Sequence, residues 1–142
     1  MKSYCLGRLR WSVLTAVVAI WATSLALPAL AIEGAAVLTG WDVLRTGWQG
    51  AGAHLLAWYA NPLFVVGVVA VAARYYGLAG VVSGLGVVLA LTSFAAREIV
   101  TGAGFPLPAL LLRVGFFVWL GALCALMVLS WLFWGQKTGQ KE

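Results

Sequence analysis

Charged residues are scarce in this 142-residue chain. Nine basic and four acidic side chains make up 9% of it, whereas about 25% is usual in a soluble domain. Hydrophobic residues account for 63%, and the mean hydropathy is +1.00. Water cannot solvate so much apolar surface, but a lipid bilayer can. The composition excludes a soluble globular domain and predicts an integral membrane protein.

Residues that bind metals or carry out catalysis are also few. The chain has one histidine, His54, and two cysteines, Cys5 and Cys124, at different predicted membrane depths. These are too few for a protein-built metal site and give no redox motif. The basic residues form no stripe for nucleic acid, and no carboxylate lies at mid-membrane. We therefore predict a protein that is not an enzyme and has no cofactor, no metal site and no nucleic-acid partner.

Four long apolar runs predict an all-α bundle of four transmembrane helices in a single membrane domain, 1–142. The predicted spans cover residues 11–32, 54–73, 78–96 and 109–134. The first run is long enough to span, at about 33 Å if helical. Its basic start and the small-residue stretch 28–31 also resemble a secretory signal. An uncleaved anchor and a cleaved signal therefore both remain open.

The distribution of basic residues predicts the orientation of the spans. Four spans put both termini and the second turn on one side, with the basic residues Lys2, Arg8, Arg10, Arg74, Lys137 and Lys141. The other side has only Arg45, Arg97 and Arg113. Basic residues are retained in the cytoplasm, so we expect both termini there.

The first outer loop contains a segment with helical features at about residues 40–50. Thr39 is suited to cap a helix, and Asp42 would lie in its first turn. Trp41, Leu44 and Trp48 fall on one face at helical spacing. We predict a short interfacial helix, which is either a structural lid over the bundle or one wall of a ligand pocket.

Proline interrupts the second apolar run. Pro62 has no amide donor, so the carbonyl of Trp58 would lose its helical partner. Either the helix is kinked there, or Asn61 caps a helix that starts at Pro62. In both cases Asn61 and unpaired backbone lie at shallow membrane depth and need a hydrogen-bond partner. A neighbouring helix, an ordered water, a lipid head group or a protein partner would each meet that need.

Polar and aromatic residues near the outer face define a candidate pocket of Trp48, His54, Trp58, Asn61 and Arg113. The simpler interpretation is that they belong to the interfacial belt, where indole and imidazole rings are common. The alternative interpretation is that these residues bind a small molecule or a lipid.

Two further features concern packing. Glu98 and Arg113 flank the last outer loop, and we expect them to form a structural ion pair. Gly80, Ser83 and Gly84 give the third span a face that another helix can approach closely. That face would pack within the chain, against a second copy, or against a larger complex.

Several short motifs carry a resemblance to a known group. They include Leu27-Pro28-Ala29-Leu30, Gly40-Trp41, Gly47-Trp48, the stretch 57–62 (AWYANP), Arg97-Glu98-Ile99 and the stretch 115–120 (GFFVWL). With these the chain resembles uncharacterised small bacterial four-span membrane proteins. The resemblance implies a four-span fold in the bacterial cytoplasmic membrane, and it brings no activity.

Two functional hypotheses follow. The first is a non-enzymatic accessory or assembly subunit, which docks on a larger membrane complex or on a second copy of itself through the glycine face and tryptophan edges. The second is a small-molecule or lipid-binding protein, or a facilitator, with its site near the outer face.

Overall fold

The structure is a computed structural model that describes residues 2–32, 37–48, 56–102 and 110–138. Five α-helices, one 3-10 turn and three short strands make up this part of the chain. In chain order they are α1 Lys2–Ala26, β1 Pro28–Ile32, β2 Val37–Thr39, α2 Gly40–Thr46, the 3-10 turn Leu56–Tyr59, α3 Ala60–Ala72, α4 Tyr76–Gly102, β3 Leu110–Leu112 and α5 Val114–Thr138.

Three helical segments are long and apolar enough to cross a membrane: Gly7–Ala26, Tyr76–Phe94 and Val114–Thr138. The fourth apolar helix, Leu56–Ala72, is shorter. Its 13 residues of α3 rise about 20 Å, and the four-residue 3-10 turn before it adds about 8 Å. Together they approach the roughly 30 Å of the hydrocarbon layer. The chain is thus a mostly helical protein with the apolar helices of a multi-pass membrane protein.

A three-stranded antiparallel sheet was not expected, and it corrects the all-α prediction. The strand order is β2-β1-β3, with Leu30 opposite Leu38 on one side and opposite Leu112 on the other. Residues 28–32 were predicted as the end of the first span, but α1 ends at Ala26. Proline at position 28 disfavours helix at the residue before it and is tolerated at the start of a strand.

The last span also begins later than its apolar run. Residues 110–112 form β3, and α5 starts at Val114. Arg113 extends the pairing, since its backbone amide donates to the carbonyl of Ala29 at 2.9 Å. Apolar content alone does not distinguish the end of a spanning helix from a buried strand of leucines.

The helices pack as α3 on α4, α4 on α5 and α5 on α1. Their shared core includes Leu14, Phe64, Val71, Leu123 and Leu126. Arg10 of α1 contacts Tyr76 of α4, and Tyr76 packs on Phe133 of α5. The start of α1 and the end of α5 therefore lie at one end of the bundle, which we name the basic end after Arg8, Arg10, Arg74 and Lys137. The sheet and α2 lie at the other, the sheet end.

The face formed by Gly80, Ser83 and Gly84 packs inside the chain. A Cβ on Gly80 would lie 3.0 Å from the Trp131 ring, and one on Gly84 would lie 3.7 Å from Sδ of Met127. Ser83 is fully buried opposite Gly67, whose added Cβ would come within 2.7 Å of the Ser83 hydroxyl. Of the alternatives left open by the sequence, this geometry matches packing of the α4 face against α3 and α5.

The turn from α3 to α4 is a Schellman motif. The amide of Arg74 donates to the carbonyl of Val71 at 3.1 Å, and that of Tyr75 donates to Ala70 at 2.8 Å. Arg74 occupies the left-handed position with φ 66°. Glycine is the usual residue there because it has no Cβ to clash. The hairpin thus closes at some local cost.

Candidate functional site

A cavity of about 210 Å³ lies at the sheet end of the bundle, beneath α2. Its walls come from α1, the sheet, α2, the 3-10 turn, the first turn of α3, Ser93 of α4 and the first two turns of α5. They are mainly apolar and aromatic, and among them are Leu25, Leu44, Trp58, Asn61, Phe116 and Trp119. None of the described lining residues carries a titratable side chain. The chemistry of this lining suits an uncharged, apolar occupant.

Asn61 is the main polar residue of the cavity wall, and its hydrogen bonds run within the protein. Its Oδ1 accepts from the indole of Trp119 at 2.9 Å and from that of Trp21 at 3.4 Å. Its Nδ2 donates to the carbonyl of Trp58 at 3.1 Å. That carbonyl is the one that Pro62 leaves without a helical partner. Asn61 is only 9% exposed, and its hydrogen bonds to Trp21 and Trp119 tie α1, α3 and α5 together.

The helix α3 starts at Ala60, with Pro62 in its first turn and no side-chain cap at Tyr59. The missing amide of a proline costs little in a first helical turn, where the first amides have no intrahelical acceptor. The 3-10 turn continues directly into α3. Asn61 therefore does not cap the helix from outside it, as one sequence alternative proposed, but lies inside its first turn and bonds back to Trp58.

Helix α2 closes the cavity and is held at both ends. At its C-terminal end the indole of Trp58 donates to the carbonyl of Leu44 at 2.8 Å, and a Cβ on Gly47 would lie 2.7 Å from Cδ1 of that indole. At its start, a Cβ on Gly40 would overlap the backbone of Ser24 and Leu25 in α1. Larger residues at either glycine would push the helix away from the bundle.

A capping box fixes the first turn of α2. The Thr39 amide and hydroxyl both donate to Oδ2 of Asp42, at 2.9 and 2.6 Å, and the Asp42 amide donates to the Thr39 hydroxyl at 3.3 Å. These side-chain and backbone hydrogen bonds from Thr39 favour the carboxylate, and Arg45 adds a smaller attraction. They hold the pKa of Asp42 below its ordinary value of 3.8. Whether this helix rests in a membrane interface remains a prediction.

The structure brings together only part of the predicted outer pocket. Trp58 and Asn61 line the cavity, whereas Trp48 is 57% exposed and does not. Arg113 is exposed and also absent from the lining. His54 lies outside the described residues.

The predicted ion pair between Glu98 and Arg113 stays a prediction. Glu98 belongs to the last turns of α4, and its side chain is outside the described part of the chain. The described residues contain no group of three or more His, Cys, Asp or Glu placed to hold a metal.

The sequence did not identify Trp21, Phe116 and Trp119 as residues of the candidate site. Trp21 stacks on Phe64 with ring centroids 5.3 Å apart, and Phe116 packs near Trp119 at 5.6 Å. A signal did exist, because a buried asparagine needs donors and tryptophan is a strong donor in apolar surroundings. The sequence does not reveal which of the eight tryptophans supply them.

Comparison of this chain with protein-family models, with curated proteins and with solved structures finds no match.

Proposed function

We propose that this chain binds an apolar small molecule, or the end of a lipid acyl chain, in the cavity beneath α2. One observation carries the proposal: the walls are mainly apolar and aromatic, and the hydrogen bonds of Asn61 on those walls are made to Trp21, Trp58 and Trp119. An occupant thus gains apolar contact area and needs few polar groups of its own. Such sites occur where several helices of a bundle meet.

The volume limits the size of the occupant. An engineered apolar cavity of about 150 Å³ binds benzene, and pockets for drug-sized molecules begin at about 300 Å³. At about 210 Å³ this cavity suits a single ring or a terminal stretch of hydrocarbon chain. Helix α2, held by Trp58 and by close packing at Gly40, serves as its cover.

A role as an accessory subunit is the alternative proposal. The small-residue face of the third span was one of the docking surfaces that the sequence suggested, and that face is occupied by α3 and α5. Docking would then have to use other surfaces, such as the exposed rings of Trp131 and Trp134. We rank this role second for that reason.

Mild-detergent extraction of the tagged protein, followed by native mass spectrometry, tests both proposals. We expect a monomeric chain that carries one enriched apolar molecule. The Ala57→Leu variant places extra carbon atoms in the cavity wall and should release that molecule. Ala22→Leu makes the same change at an exposed position of α1 and should retain it.

Two outcomes would refute binding in the cavity. One is equal retention of the molecule by Ala57→Leu and Ala22→Leu. The other is a stoichiometric protein partner without any enriched small molecule, which would establish the accessory role.

A further inference from the structure

A buried arginine at the basic end has no acidic partner among the described residues. Arg10 is only 7% exposed, and its Nε is buried without a hydrogen-bond partner in this part of the chain. Its Nη1 donates to the hydroxyl of Tyr76 at 3.4 Å, which is a long contact. A buried guanidinium whose one hydrogen bond to the described residues is long and to a neutral group is costly, because buried charges are normally paired.

Two of the four acidic residues are placed by the structure, and both lie far from Arg10. Asp42 is bonded to Thr39 at the sheet end. Glu98 lies near the end of α4, remote from the Arg10 contact at the start of that helix. Glu33 lies outside the described residues. Glu142 also lies outside the described residues.

The position of Arg10 suits a partner from the membrane. Arg10 lies one turn into the segment Gly7–Ala26 that is apolar enough to span. Its guanidinium lies 5.2 Å from the ring centroid of Trp11, a side chain that is 52% exposed. The cation is thus covered by a surface indole at the level where a spanning helix meets the head groups.

The surrounding charge has one sign. Arg8, Arg74 and Lys137 also belong to the basic end and are exposed. Clusters of basic residues beside spanning helices attract anionic lipids. An arginine fork presents two parallel donors, which match two oxygens of a phosphate.

We propose that Arg10 binds the phosphate of an anionic phospholipid at the basic end of the bundle. The exposed Trp11 indole turns aside, and the phosphate accepts from the guanidinium edge that Tyr76 leaves free. The acyl chains then lie along α1. This site is separate from the cavity beneath α2 and does not depend on it.

Lipid binding to the purified full-length chain tests this proposal. Phosphatidylglycerol and phosphatidylcholine with identical acyl chains are titrated separately at about 0.15 M salt and followed by native mass spectrometry. We expect the wild-type chain to prefer phosphatidylglycerol. Arg10→Gln should reduce that preference about tenfold, because it removes a charge-assisted hydrogen bond to the phosphate.

Arg8→Gln is the matched control, since it removes the same charge at an exposed position of the same helix. It should reduce the preference by less than about threefold, because exposed charges are screened at this salt. If Arg10→Gln does not fold, Arg10→Lys replaces it in the test. Lysine keeps the charge but lacks the two parallel donors of arginine, and it should reduce the preference for phosphatidylglycerol about threefold.

Three results would overturn the site. They are the absence of a phosphatidylglycerol preference in the wild type, equal losses in the Arg8 and Arg10 variants, and competition by millimolar inorganic phosphate. The third would indicate a free phosphate ion. If the preference is absent from the wild type but appears in Glu142→Gln, Glu142 is the partner of Arg10.

Discussion

Trp119 donates its indole N–H to Oδ1 of Asn61 at 2.9 Å, across 58 positions of sequence. The same oxygen accepts from Trp21 at 3.4 Å. One short polar side chain therefore joins the first turns of α3 to α5 and to α1. A residue that lines the cavity wall therefore also holds the helices of the bundle together.

Replacing Asn61 with leucine should destabilise the fold. The change leaves the indoles of Trp21 and Trp119 without an acceptor and the Trp58 carbonyl without its side-chain donor. Each buried polar group without a partner costs about 1–3 kcal/mol, and we expect a total of about 2–4 kcal/mol because such terms do not add fully. Thermal unfolding in detergent would measure the change.

A pair of tryptophan variants controls that experiment. Trp119→Phe removes the stronger donor to Asn61 and should cost about 1 kcal/mol or more. Trp48→Phe makes the same chemical change at a tryptophan that is 57% exposed, and it should leave the unfolding temperature nearly unchanged. Equal effects of the two variants would contradict the role of Asn61 as a shared acceptor.

Gly115→Ala should loosen the junction between α5 and the sheet. The added Cβ would lie 2.9 Å from the carbonyl oxygens of both Leu27 and Pro28, and backbone atoms cannot move aside cheaply. We expect a loss of about 1–3 kcal/mol in stability, as for other overpacked sites. In the same helix, Gly121 has no atom within 4 Å of its added Cβ. Gly121→Ala should therefore be neutral or stabilising by up to about 1 kcal/mol, and a comparable loss in both variants would refute the close packing.

Arg74→Gly should stabilise the protein. Arg74 lies at the left-handed position of the Schellman turn with φ 66°, and an L-residue pays about 1–2 kcal/mol for that conformation. Part of the gain is offset because glycine loses more entropy on folding, so we expect about 0.5–1 kcal/mol in thermal unfolding. Arg74→Ala removes the same charge but keeps the Cβ. If alanine stabilises as much as glycine, the gain comes from charge and not from the backbone.

Acid should loosen the start of α2. The pKa of Asp42 is lowered by hydrogen bonds from Thr39 in the folded protein, so its contribution to stability is fully present above the ordinary value of 3.8. It is lost as the pH falls through the lowered folded pKa. Amide-exchange protection factors for residues 40–46 should therefore drop below about pH 4. Asp42→Asn should start from weaker protection and lack this drop, and an equal drop in that variant would exclude Asp42 as the cause.

Much of the helical architecture follows from the sequence alone. The scarcity of charge and the long apolar runs predict helices of spanning length, and three such segments are present with a fourth that is shorter. The prediction that Thr39 caps a helix matches the capping box at Asp42. These features depend on local composition and on neighbours three or four residues apart, which a sequence displays directly.

The sheet and the cavity were decided by tertiary structure. Residues 28–32 and 110–112 are as apolar as the spans they adjoin, and only their pairing across about 80 positions makes them strands. Asn61 was identified as a residue in need of partners, but its donors come from distant helices whose rotation the sequence does not encode locally. Long-range hydrogen bonds and the close approach of glycines to backbone depend on how the helices pack against one another. That packing is set by contacts between residues far apart in the sequence.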